Sequence, residues 1–169
     1  DAVKIQPLAK RLNLSRTSFY WFFKDREELL DGLLVRWRSK NTGNLVKRTE
    51  AYAESVAEAM LNVFDCWLDK EIFDPQFEFA IRSWALQSND ILREVRAADQ
   101  LRIEALTKML VRYGQPVDVA DVHARTTYLV QIGYISMQTS ESLEVRMKRI
   151  ATYVETFCGQ RPSDKELDR

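Results

Sequence analysis

The 169-residue chain has few of the residues that interrupt regular structure, with 5 Gly and 4 Pro. So little material for turns argues against many short strands and favours a few long helices. No apolar run approaches the roughly 20 residues that a membrane span needs, and no signal peptide precedes the first segment that reads as structure. We therefore expect an all-α, cytoplasmic protein with no membrane partner.

Residues that commonly perform catalysis or bind metals are also scarce. The chain has one histidine, His123, and two cysteines, Cys66 and Cys158. It contains no HExxH, no CxxC, no phosphate-binding glycine loop and no nucleophile elbow. Both cysteines lie in apolar helical stripes, which favours two reduced core residues over a disulfide. We expect no catalytic residues, no metal and no cofactor, and an enzyme is the weak alternative.

The net charge of the chain is zero, but its charges are unevenly distributed. Residues 1–50 hold 11 Lys or Arg against 6 Asp or Glu, whereas residues 51–169 hold 14 against 19. Such asymmetry is typical of a basic functional head on an acidic body, and it keeps a nucleic-acid partner open for the head.

Helical periodicity is nearly continuous along the chain, and caps or breakers punctuate it. Short helices are predicted at about 6–12 and 16–22, with Ser15 as the N-cap of the second. The later helices are expected to begin near Asp25, Ala51, Asp74-Pro75, Asn89, Asp118 or Asp121, and Ser142, and two are expected to end at Gly114 and Gly159. The pattern predicts a head domain at 1–40, a helical domain at 41–159, and a loose polar tail at 160–169.

The segment 5–30 has the pattern of a helix-turn-helix, in which two short helices cross around a tight turn. Ala9 supplies a small residue where the helices touch, and Asn13 tolerates a left-handed backbone in the turn. Apolar residues predicted to be buried flank the turn at Leu8, Leu12, Leu14 and Phe19.

The run LAKRLNLSRTSFYWFFKDREELL, residues 8–30, resembles the DNA-binding signature of the TetR family of transcriptional regulators. The matching elements are Ala9, the pair Phe19-Tyr20, Phe23, Arg26 and Leu29. The signature is specific as a whole, although no single element is. The resemblance implies a DNA-binding head on an all-helical body that dimerises and binds a small molecule. It also implies a homodimer that represses transcription from a palindromic duplex operator until the ligand releases it.

Two departures from the family pattern bear on this resemblance. The family has an additional helix before the motif, and we expect that this segment is missing because the given sequence is incomplete. Many members also place a phosphate-contacting histidine at the position of Phe22, and phenylalanine cannot make that contact. These departures keep a second hypothesis open, a helical protein-interaction module of the same fold that no longer binds DNA.

Carried over position by position, the resemblance assigns the DNA contacts to eight residues. Side chains at the start of the second helix would face base edges or phosphates of the DNA. Those at its end would contact the sugar-phosphate backbone of the DNA. The candidates are Ser15, Arg16, Thr17, Ser18, Tyr20, Trp21, Lys24 and Arg26.

The body supplies candidates for a ligand pocket and for a dimer interface. Large apolar side chains in the middle helices, joined by a few polar groups, predict a pocket for a largely apolar small molecule, neutral or singly charged. Its candidate residues are Met60, Phe64, Trp67, Phe77, Trp84, Met109, Tyr128 and Gln131. The helix after Pro116 is apolar on more than one side, which predicts a homodimer. Its interface candidates, together with those of the final helix, are Leu129, Ile132, Gly133, Tyr134, Ser136, Met137, Met147, Ile150 and Val154.

Overall fold

The computed structural model describes residues 4–13 and 15–168, and every regular element in those ranges is helical, which confirms the all-α prediction. The chain divides at Arg38/Ser39 into two compact units, which we call the head unit and the body unit. The helices are α1 Ile5–Arg11, α2 Arg16–Phe22, α3 Arg26–Trp37, a π-helix Arg38–Gly43, α4 Asn44–Glu50, α5 Val56–Leu68, α6 Pro75–Ala85, α7 Asn89–Arg112, α8 Val117–Ser136, α9 Leu143–Met147, α10 Ile150–Cys158 and α11 Asp164–Leu167.

In the head unit, α1 and α2 pack against each other across the turn at Leu12 and Asn13. Asn13 has φ +53°, so the expected left-handed turn residue is confirmed. Ala9 and Phe19 are buried as expected. Leu12 is exposed instead, because it follows the last residue of α1 and no longer shares the buried face of that helix. The prediction for Leu14 lies outside the described residues.

Several helix starts follow from side-chain caps that the sequence indicates. The side chain of Ser15 accepts the N–H of Ser18, and that of Asp25 accepts the N–H of Glu28. The side chain of Asp74 accepts the N–H of Phe77 at the start of α6, where Pro75 occupies the first turn. The side chain of Ser142 accepts the N–H of Val145 at the start of α9. Such caps satisfy backbone donors that have no partner inside the helix.

One predicted helix start and one predicted cap are wrong. α5 begins at Val56 rather than near Ala51, because Ser55 accepts the N–H of Glu58 and so caps the helix there. α8 begins directly after Pro116, which occupies the N-cap, and neither Asp118 nor Asp121 caps it. The carbonyl of Pro116 accepts the N–H of Ala120 at 2.8 Å, so the first turn forms without a side-chain cap.

The core of the body unit is built around α5, which is buried along most of its length. α5 packs against α4 and α10, while α7 packs against α4, α6 and α8. Cys66 and Cys158 are free and lie in this core, as predicted. No helix in residues 4–13 and 15–168 is both long and apolar enough to cross a bilayer.

The C-terminal segment is more ordered than a loose tail. α10 ends at Gly159, which has φ +75°, and a one-turn helix follows at 164–167. Ser163 and Glu166 form a reciprocal capping box, and the Ser55 hydroxyl donates a hydrogen bond to Glu166. These bonds tie the polar tail to the start of α5.

Candidate functional site

The predicted DNA contacts run from the N-cap of α2, through α2 and the turn after it, to the first residue of α3. Trp21 is 82% exposed, and Tyr20 and Phe22 are also exposed on this short helix. Phe19 lies on the opposite, buried side and packs edge-on against Tyr20, with ring centroids 5.3 Å apart. The helix therefore presents large aromatic side chains to solvent while one aromatic ring anchors it.

The remaining head candidates are polar and close in sequence. The hydroxyls of Ser15 and Ser18 are 2.9 Å apart at the start of α2, and Thr17 and Lys24 are exposed. Arg26 lies 3.8 Å from Glu27 at the start of α3. The side chain of Arg16 lies outside the described residues.

The body unit contains an open cavity of about 720 Å³, which we call the groove. Its walls come from the end of α5, the start of α6, the last turns of α8, the loop after α8, and α9. The lining residues are Trp67, Lys70, Pro75, Gln76, Phe79, Gln131, Tyr134, Ile135, Gln138, Thr139, Ser140 and Arg146. This volume lies within the range of small-molecule sites in proteins.

A second cavity, which we call the side cavity, adjoins the groove and measures about 20 Å³. It shares Trp67, Gln131, Tyr134 and Arg146 with the groove. The rest of its wall is mostly apolar and consists of Phe64, Leu68, Thr127, Val130, Met147, Ile150, Tyr153 and Phe157. It has room for about one water molecule.

The structure brings three of the eight predicted pocket residues to these cavities. Trp67 and Gln131 line both, and Phe64 lines the side cavity. Met60 is fully buried in the core, and Met109 contributes to a separate cavity of about 180 Å³ between α4 and α7. Neither residue lines the groove or the side cavity, because an apolar stripe identifies what a helix buries but not which cavity it borders.

Phe77 and Trp84 on α6, and Tyr128 on α8, also lie away from the groove and the side cavity. Phe77 and Trp84 are partly buried elsewhere. Tyr128 is fully buried and its hydroxyl is bound by charged side chains, so it is not available to orient a ligand in the groove.

Those charged side chains form a buried ion cluster that the sequence analysis missed. Arg102 and Glu78 are both fully buried, and two hydrogen bonds of 2.8 and 3.1 Å join the guanidinium to the carboxylate. Arg102 also donates to the hydroxyl of Tyr128 at 2.9 Å, and Tyr128 donates to Asp99 at 2.6 Å. Arg82 donates to Glu78, Asp99 and Tyr128 and closes the cluster.

The ion cluster also binds the π-helix. Thr42 accepts a hydrogen bond from Nε of Arg102 at 2.9 Å, and Asn41 donates to Glu78 at 2.9 Å. Asn41 further accepts the backbone N–H of Asp74 at 3.0 Å. The cluster thus fixes the π-helix against the start of α6 and against α7.

The burial of Arg102 could have been predicted from its position in the helical pattern. It lies four residues after Ala98 and four before Leu106, inside the stripe that α7 buries. A charged residue in a buried stripe needs a partner of opposite charge. Glu78 gives a weaker signal, since it precedes Arg82 by four residues on α6 and that spacing is also common on exposed faces.

The predicted dimer residues fall into two groups. Leu129, Ser136 and Met137 are exposed on α8, and Met147 is exposed on α9. Gly133 lies between them, and a Cβ added there would meet nothing within 4 Å. Ile132 is partly buried against the core.

Three of the remaining interface candidates face inward. Ile150 and Val154 are buried in the core of the body unit, where they offer a partner no surface. Tyr134 lines the groove, and its hydroxyl lies 2.9 Å from that of Tyr153. The stripe of the final helical segment therefore belongs largely to the core.

The described ranges thus hold an exposed aromatic helix in the head unit, and a groove and an ion cluster in the body unit. In those ranges no group of three or more His, Cys, Asp or Glu side chains is placed to hold a metal ion. No family model, no curated protein sequence and no solved structure matches this chain.

Proposed function

We propose that this chain is a DNA-binding transcriptional regulator that acts as a homodimer and responds to a small molecule. The observation that carries the proposal is the outer surface of α2, where Tyr20, Trp21 and Phe22 are all exposed. Three large aromatic side chains in a row on a seven-residue helix are costly to leave in water, and such surfaces mark interaction sites.

A DNA duplex suits this surface better than an apolar partner does. The left-handed Asn13 sets a tight turn between α1 and α2, as a helix-turn-helix requires. Polar residues close in sequence to the aromatic side chains are exposed as well, namely Ser15, Thr17 and Lys24. Such groups donate hydrogen bonds to phosphates and position a helix on the duplex. Residues 1–50 also contain more basic than acidic residues, which favours binding to the phosphates of DNA.

A dimer follows from the small size of this surface. One helix of seven residues contacts few base pairs, so specific recognition needs two copies at a fixed spacing. The exposed side chains along α8 supply a surface for a second copy, and a two-fold axis there would give an operator of two symmetric half-sites.

The groove supports a ligand-responsive regulator. A ligand lowers DNA affinity when it prefers a conformation in which the two α2 helices of the dimer no longer match the half-site spacing. Coupling of about 1–3 kcal/mol between two sites is usual for such regulation. We propose that the ligand binds in the groove and releases the protein from DNA.

Selection of duplexes from a random-sequence pool tests the DNA-binding part of this proposal. We expect enriched sequences with two-fold symmetry and an association constant that falls linearly with salt concentration on a double-logarithmic plot. Failure to enrich any duplex would favour the interaction module, a hypothesis that the exposed Phe22 in place of a phosphate-contacting histidine keeps in play.

A further inference from the structure

The groove carries positive charge on its wall. Lys70 and Arg146 line it, and within the described part of the chain no Asp or Glu does. Neither cation forms an ion pair there, although Arg146 lies over the Tyr134 ring at 5.5 Å from the centroid. The neighbouring carboxylate Glu141 is held by Arg149 at 2.6 Å. The groove therefore offers two cations that no carboxylate on its wall pairs with, although the charge of Arg146 also acts on the neighbouring Glu141.

A buried hydrogen-bond donor lies at the same site. Trp67 is 5% exposed and lines both the groove and the side cavity. Its indole Nε1–H is buried and has no acceptor among the described residues. Buried polar groups nearly always have a partner, because an unpaired one has lost its hydrogen bonds to water without replacing them. An acceptor on a molecule bound beside Trp67 would give this donor a partner.

Apolar side chains on the wall of the groove itself provide the apolar part of the site. Trp67 and Tyr134 belong to both cavities, and Phe64, Val130 and Phe157 continue the apolar wall inward. Gln131 is the polar residue common to both. A ligand in the groove meets the two cations and, on the same wall, the apolar carbon of Pro75, Phe79 and Ile135.

We infer that the groove binds an amphipathic organic monocarboxylate. The carboxylate pairs with Lys70 and Arg146, an oxygen of the ligand accepts the Trp67 Nε1–H, and an aromatic or acyl group lies along the apolar wall. The inference deepens the proposed function, since it names the chemical class of the effector.

Binding to the free protein tests the inference without any DNA. The probes are 4-phenylbutyrate and decanoate, each compared by calorimetry with its primary amide and its primary amine. We expect the carboxylates to bind and the amides to bind about tenfold more weakly, because charge-assisted hydrogen bonds are roughly twice as strong as neutral ones. The amines should not bind, because both cations repel them.

Substitutions identify the groups that hold the carboxylate. Lys70→Gln and Arg146→Gln should each weaken carboxylate binding about tenfold and leave amide binding unchanged. Lys148→Gln is the matched control, because Lys148 lies on the same segment as Arg146 but pairs with Glu144 and is absent from the groove wall. The indole N–H resonance of Trp67, assigned with Trp67→Phe, should shift downfield when the carboxylate saturates the protein.

Three results would overturn the inference. They are equal affinity for carboxylate and amide, unchanged carboxylate affinity in both cation variants, and no binding of either carboxylate up to about 1 mM. Each leaves the duplex selection untouched, so failure of the effector class and failure of DNA binding are distinguishable.

Discussion

Arg102 and Glu78 form a two-point ion pair in the middle of the body unit, with N–O distances of 2.8 and 3.1 Å and no solvent exposure on either side chain. The pair joins α7 to α6, and its outer hydrogen bonds reach the π-helix through Thr42 and Asn41. A paired buried charge contributes little net stability compared with apolar residues, whereas an unpaired one is expensive. Removing one partner should therefore cost much more free energy of unfolding than the intact pair contributes.

Glu78→Gln should lower the free energy of unfolding by about 3–5 kcal/mol, because it leaves the Arg102 guanidinium buried without its counter-charge. Urea denaturation followed by circular dichroism measures this loss. The control Glu144→Gln removes a carboxylate from the exposed pair with Lys148 and should leave the denaturation midpoint unchanged within error.

A double-mutant cycle distinguishes loss of the ion pair from a general packing defect. Glu78→Leu combined with Arg102→Met should be more stable than the sum of the single variants predicts, by about 2–3 kcal/mol. Strict additivity of the two substitutions would contradict the assignment of Arg102 and Glu78 as mutual partners.

Stability should also fall in acid because of Glu78. Burial alone raises the pKa of this carboxyl, but the charge and hydrogen bonds of Arg102, with Arg82 and Asn41, hold the pKa below its ordinary value of 4.5. A carboxyl with a depressed pKa in the folded state stabilises the protein above its unfolded pKa, and this contribution is lost as the pH falls. The difference in unfolding free energy between the parent and Glu78→Gln should therefore be constant near neutral pH and shrink below about pH 4.5. A difference that stays constant to pH 3 would mean that the Glu78 carboxylate is not the stabilised species.

Much of the fold could be predicted from local signals, and the site could not. Caps such as Ser15 and Asp74, and the left-handed Asn13, act within a few residues of chain, so their consequences are visible in the sequence. The groove depends on which parts of α5, α6, α8 and α9 leave space between them, and helical periodicity carries no information on that.

The role of Tyr128 also depends on tertiary packing that the sequence pattern does not reveal. A polar group on an apolar helix predicts a ligand contact, but the hydroxyl of Tyr128 is bound by Arg82, Arg102 and Asp99, which are distant in sequence. Burial raises the pKa of this phenol above its ordinary value, which keeps it a neutral donor and acceptor within the cluster. Only the packing of three helices decides between the two roles.

The two cysteines should be unreactive in the folded protein. Burial raises the pKa of the Cys66 thiol to about 12, and it also raises that of Cys158. At pH 8 the thiolate fraction of Cys66 is then on the order of one in ten thousand, and the thiolate is the reactive form. Labelling with an aromatic disulfide reagent should modify no thiol in native protein and two in denatured protein. Rapid reaction of one thiol before unfolding would show that its helix opens locally.

Trp21→Ala should weaken duplex binding at least tenfold without lowering the melting temperature, because an 82% exposed side chain contributes little to the fold. Tyr52→Ala is the matched control, since Tyr52 is an aromatic residue that is 85% exposed in the body unit. Fluorescence anisotropy with the selected duplex measures both variants. Equal affinity of Trp21→Ala and the parent would remove α2 from the DNA interface.

Leu129→Glu should convert the proposed dimer into a folded monomer. Leu129 is 59% exposed on α8, so a carboxylate there is solvated in the monomer, but a dimer interface would have to bury it. Leu101→Glu is the control, because Leu101 is a 49% exposed leucine on the long helix α7 that lines the cavity between α4 and α7. Sedimentation velocity at micromolar concentration should show a monomer for Leu129→Glu and a dimer for the parent and for Leu101→Glu.

Gly133→Leu tests whether the α8 helices of the two copies in the proposed dimer approach each other closely at Gly133. A glycine inside α8 costs about 1 kcal/mol of helix stability relative to alanine, and a Cβ at this position meets nothing within 4 Å in the chain itself. The glycine therefore serves no packing need of the monomer, whereas a second helix crossing at this point would require its small size. The variant should keep its helical circular dichroism and dissociate at least tenfold more readily in sedimentation. If Gly133→Leu dimerises as tightly as the parent, the two-fold axis does not pass near Gly133 and the interface must lie elsewhere.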